Sequence, residues 1–185
     1  MKVLLSRAKA LFVAILLLSP VVFAQASTDA AFTAALGLFN RARQGDSGQI
    51  EAAIAAFQTV PASPLHQPLY AAYLGSAQAL KGKAAWMPWN KMKFTDQGLD
   101  QIDQALASLR PEHDRALVQG VPLALTIRLV AAATFVAVPD GLFHRRSAGK
   151  SLLVELRRNF LLASTPEAFR AELGALETQL KEAEK

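Results

Sequence analysis

QPLYAAYLGSAQALKGKAAWMPWNKMKFTDQGLDQIDQALASLRP, residues Gln67–Pro111, is the stretch from which the fold is read. Leu69, Tyr73 and Leu80 recur at helical spacing and predict a helix from about His66 to Lys81. Thr95 is a candidate N-cap for a second helix, with Leu99, Ile102, Leu106 and Leu109 facing inward and Pro111 ending it. A loop with Trp86, Pro88 and Trp89 joins the two. The result is a helical hairpin that cannot bury its apolar stripes alone.

The pattern extends in both directions. Upstream, Phe32, Leu36 and Phe39 mark a helix ending near Gln44 and Gly45. Ile50, Ile54 and Phe57 mark another, stopped by Pro61 and Pro64. Downstream, Val121 to Val138 is apolar almost all round and predicts the most buried helix. Arg128 in its middle, with Pro122 and Pro139 at its ends, argues against a membrane span. Asp140-Gly141 is a turn signal, and Leu152, Leu153, Leu156 and Phe160 mark a sixth helix. Ser164-Thr165-Pro166-Glu167 opens the last in a capping-box arrangement, followed by the stripe Phe169, Leu173, Leu176 and Leu180. No alternating strand pattern stands out. These signals predict an all-α chain of about seven helices, with helix pairs closing at Pro61/Pro64, Pro111 and Pro166, roughly 50 residues apart. Stacked pairs of this kind make a short α-solenoid.

Leu74-Gly75, then Gly98, Ile102, Ala105 and Pro111, carry a resemblance. The pair resembles the Leu-Gly of the first helix of a tetratricopeptide (TPR) repeat. The other four resemble the small, large, small and terminal-proline positions of its second helix. Ala53 and Phe57, closed by Pro64, stand at matching second-helix positions of the preceding unit. The resemblance divides the chain into a weak repeat over 27–64, the clearest over 65–111, a degenerate one over 121–166 and a C-terminal helix over 166–183. It implies a TPR-like fold that binds peptides or partner proteins and is not a catalyst.

The chain opens with a leader. Lys2, Arg7 and Lys9 form a basic segment without acids, Leu11 to Leu18 is uninterruptedly apolar, Ser19 and Pro20 break it, and Ala24-Gln25-Ala26 is a small-x-small site. Residues 1–26 read as a Sec-type signal peptide cleaved after Ala26, and the working domain, 27–185, as periplasmic or secreted. Removing three positive charges and no negative one takes the formal net charge from +5 to +2. That leaves no basis for nucleic-acid binding, since no polybasic run or aromatic-basic ladder supports it. No stable membrane insertion is expected after cleavage. With no cysteine, the domain relies on packing alone.

The insertion Lys81 to Phe94 (KGKAAWMPWNKMKF) holds both tryptophans of the protein, Met87, Met92 and four lysines. One reading is a recognition lip of rigid aromatics beside cations. The preferred reading is that Trp86 and Trp89 plug one end of the helical stack while the lysines stay solvated. Asp96, Asp100 and Asp103 share one helix face and read as solvated acids, paired with Lys91 or Lys93. Arg128 needs a carboxylate, from Glu112, Asp114 or the aspartate trio, or else opens on a groove where a ligand's carboxylate meets it. Arg145, Arg146 and Lys150 read as a solvated basic face. His66, His113 and His144 lack metal-ligand spacing, no nucleophile elbow accompanies them, and no glycine loop cradles phosphate. No metal, cofactor or enzymatic activity is therefore expected. The expected function is binding of a partner protein or peptide, as a scaffold or adaptor in the cell envelope, through Tyr70, Tyr73, Trp86, Trp89 and Arg128. The alternative is a small-molecule or lipid carrier with an apolar cavity beside helix 121–138.

Overall fold

The computed structural model describes residues 20–182, with side chains from residue 29 onward. The basic and apolar parts of the leader lie outside the described residues. Eight α-helices follow: α1 (Pro20–Arg43), α2 (Ile50–Thr59), α3 (Gln67–Ala84), α4 (Pro88–Ala107), α5 (Leu123–Ala137), the single turn α6 (Asp140–Phe143), α7 (Arg146–Arg158) and α8 (Glu167–Glu182). The chain is mostly helical, as expected. The small sheet is a difference. Leu117–Val118 (β1) pairs antiparallel with Val121–Pro122 (β2). Gln119 and Gly120, both at positive φ, make the tight turn between them, as two-residue hairpins require. Strands of two residues are too short to show alternation.

Local chemistry sets most boundaries. Gly45, at φ 111°, ends α1 in a Schellman closure, with the Asp46 N–H donating to the Arg41 carbonyl at 3.1 Å. Val60, extended before Pro61, ends α2. Pro88 stands in the first turn of α4. Pro88 and Trp89 are therefore helical and not loop residues. Thr95, expected as an N-cap, sits inside α4 and is buried. Phe160, expected on a helix, follows α7 on a 3-10 turn and is exposed.

The helices pack as three successive pairs, α1 with α2, α3 with α4 and α5 with α7, and α3 also packs on α2 and α5. The α3/α4 contact is the tightest. A Cβ added at Gly75 would stand 2.5 Å from the Gly98 carbonyl oxygen, and one at Gly98 would approach the Gly75 oxygen more closely still. Small residues are what let the two backbones meet.

The first three helices enclose an aromatic cluster. Phe57 stacks on Tyr73 with centroids 5.6 Å apart, Phe39 meets Tyr73 edge-on at 5.5 Å, and Phe32 lies 5.1 Å from Tyr70. The far end is aliphatic, built from Leu125, Leu129, Leu153, Leu156 and Leu173 with Phe169. Between them, Ala79, Leu99 and Ile102 meet Ala131 and Phe135. The helix that was apolar all round, α5, supplies Leu123 and Ile127 to the first cluster, Leu125 and Leu129 to the second, and Ala131 and Phe135 to the third. Ten of its fifteen residues are buried, including Thr134, whose hydroxyl lies 2.8 Å from that of Ser76 on α3.

Candidate functional site

The α3/α4 tip is the most unusual surface among the described residues. Only Ala85 to Met87 are non-helical between α3 and α4, so the connection is short and held at both ends. Trp86 is 87% exposed and Trp89 64%, with Met87 and Met92 exposed beside them. The plug reading is thus corrected: the tryptophans stand outside the stack. The reason is the early start of α4. Trp89 precedes the point where α4 seals against α3, at Gly82, whose added Cβ would meet Thr95 and the Lys91 carbonyl, and Met92, between those two, is exposed.

Beneath the tip lies a recess of about 350 Å³, lined among others by Ile50, Glu51, Lys81, Trp86, Asn90 and Phe94. Lys81 is committed to structure. Its Nζ lies 2.8 Å from Glu51 Oε1 and 4.4 Å from the Phe94 ring centroid, an ion pair and a cation–π contact at one ammonium. Lys83, Lys91 and Lys93 are exposed, and no acidic residue occurs between 81 and 95. The one carboxylate of the recess, Glu51, is already held by Lys81. The free charge of the tip is therefore positive. The contribution of Ile50 and Glu51, from α2, carried no local signal, because it arises only when two hairpins stack.

The other candidate residues lie elsewhere. Tyr70 and Tyr73 are buried in the aromatic cluster, and burial pushes both phenols above the usual tyrosine value, Tyr73 the further. Arg128 pairs through Nε with Glu155 of α7 at 2.8 Å, and its guanidinium also donates to the Ala124 carbonyl at 3.2 Å. Its partner is thus none of Glu112, Asp114 or the aspartate trio. Asp103 takes a bidentate grip from Arg145, at 3.1 and 2.6 Å, not from Lys91 or Lys93. Arg145 also stacks over Phe135, 5.2 Å from its centroid, so it does not belong to a solvated face. A second recess, about 470 Å³, lies on α7 beside Val154, Glu155 and the exposed Phe160. Tyr70, Tyr73 and Arg128 line neither recess, and neither borders α5.

His113, expected at a loop edge, is buried, with Nδ1 accepting the Arg110 N–H at 2.9 Å. It staples the turn that leads into β1. Among the described residues no group of three or more His, Asp or Glu side chains is placed to hold a metal ion, and no helix is long and apolar enough to cross a membrane. No protein-family model, characterised protein or solved structure matches the chain.

Proposed function

We propose that the chain is an exported, TPR-like helical-repeat protein that binds a partner protein or peptide at the α3/α4 tip, serving as a scaffold or adaptor in the cell envelope. One observation carries this reading. The only two tryptophans of the protein stand exposed at one helix-hairpin tip, Trp86 on the border of a recess, where burying them would have been favourable by a few kcal/mol each. Rigid aromatics on a short, anchored connection (Trp86) and on the helix turn after it (Trp89) lose little freedom when a partner covers them. Met87 and Met92 adapt their shape to what arrives.

The repeat architecture is supported by the Gly75/Gly98 crossing, and by the burial of Ile102 and Ala105 where the TPR resemblance requires a large and a small residue. Export is supported by the leader and by where the core begins. Among the described side chains of α1, from residue 29 onward, the first buried in the core is Phe32, five residues beyond the proposed new N-terminus at Ser27. The test is photo-crosslinking in envelope extract from a probe at position 89, with a control probe on the distant α8 surface. A discrete adduct at 89 and none from the control is expected; equal labelling from both would sink the reading. Mass spectrometry of the exported protein is expected to find Ser27 as its first residue.

A further inference from the structure

We infer that the partner segment received at the α3/α4 tip is acidic and carries a large apolar side chain: the side chain enters the recess, and the flanking carboxylates meet Lys83, Lys91 and Lys93. The inference rests on the tip being a docking site and adds the chemistry of what docks there.

Charge is the first argument. Three exposed lysines without an ion pair among the described residues share the stretch 81–95 with two exposed tryptophans, and the first acid after them is Asp96. A basic segment would be repelled, while an acidic one is drawn in and oriented. Shape is the second. The recess is bordered by apolar groups, among them Ile50, Ala84 and Phe94, and its volume has room for a large apolar side chain. Asn90 and Ser47 on its border supply the donors and acceptors that a peptide backbone needs. The third argument separates a peptide from an anionic lipid surface. The recess lies between α2 and the α3/α4 tip, so a narrow segment can place a side chain in it, whereas a flat anionic sheet meets only the rim.

Both tryptophans of the protein lie at this site, so intrinsic fluorescence reports on it without a label. The purified chain is titrated with four probes: the peptides Ac-EEFEE-NH2, Ac-EEAEE-NH2 and Ac-KKFKK-NH2, and phosphatidylglycerol vesicles. The acidic Phe peptide is expected to blue-shift the emission and to bind at least about tenfold more tightly than either other peptide at low salt. Its affinity is expected to fall about tenfold on going to high salt. The triple variant Lys83→Gln, Lys91→Gln, Lys93→Gln, at exposed positions, should keep its melting temperature and lose most of that affinity. Equal binding of the basic peptide, indifference to salt, or a blue shift with vesicles alone overturns the inference. If crosslinking from position 89 still yields a discrete partner in that case, docking at the tip survives and only the acidic chemistry fails. If it does not, both fail.

Discussion

Where α3 crosses α4 at Gly75 and Gly98, an added methyl group has no room; a few turns further along the same hairpin, Trp86 and Trp89 stand in solvent. The two regions share their helices but not their physics. At the crossing, the smallest side chains bring backbone against backbone, and any added atom must push the helices apart. At the tip, the largest side chains touch little of their own chain. Residues that hold this hairpin together are therefore silent for recognition, and residues exposed for recognition contribute little to holding it.

The sharpest way to break this contrast is at the crossing. Gly98→Val should cost about 3 kcal/mol, read as a lowered urea midpoint, because its β-carbon runs into the Gly75 carbonyl and the Ala79 backbone nitrogen, neither the end of a flexible side chain. A loss below about 1 kcal/mol would mean that the helices separate easily. Further along α4, Asp103→Ala removes the bidentate partner of Arg145 and leaves its guanidinium over Phe135; about 1 kcal/mol is expected by thermal melt, since Arg145 and Asp103 are both partly solvated. An unaffected melt would place that pair with ordinary surface charges.

The Arg157–Glu177 bridge between α7 and α8 calibrates such contacts. The hydrogen bonds from Arg157 hold the Glu177 carboxyl below its ordinary value of 4.5. The folded state thus binds this proton less readily than the unfolded chain. The stabilisation is complete above that ordinary value and fades as pH falls through the lower folded one. Glu177→Gln should cost up to about 0.5 kcal/mol at neutral pH, with the difference from the parent protein vanishing in acid. A difference that grows on acidification would contradict this sign. Smallest of all, Trp86→Ala and Trp89→Ala should each move stability by no more than about 0.5 kcal/mol, and the first should weaken crosslinking from position 89. A loss of 2 kcal/mol or more would mean that the tryptophans pack after all.

The same contrast explains what was legible in the amino-acid sequence. Ile102 and the stripe Phe169, Leu173, Leu176 and Leu180 announce themselves by spacing, because packing within one helix pair repeats every turn, whereas Gly75 and Gly98 stand out only through the TPR resemblance. The start of α4 was misplaced because a Trp-Met-Pro-Trp run has the composition of a loop, although proline at a first helical turn is as natural as proline in a turn. Thr95 looks like a cap from its neighbours and is a packing residue in space. Partners of charged groups were the least legible. Arg128 finds Glu155, and Asp103 finds Arg145, across helices whose relative placement no local pattern encodes. Exposure of the tryptophans was hidden for a related reason: composition says that such residues bury well, and only the geometry of the hairpin end decides otherwise.

The placement of α5 has a consequence for how the protein comes apart. In an array of identical units each module leans only on its neighbours, so pieces can melt, be added or be cut away one at a time. Here a single segment reaches into every apolar cluster among the described residues. Truncation before Leu123 takes Leu123 and Ile127 from the aromatic end and Ala131 and Phe135 from the middle. The modules therefore share one keystone, and the molecule should lose its structure in one cooperative step.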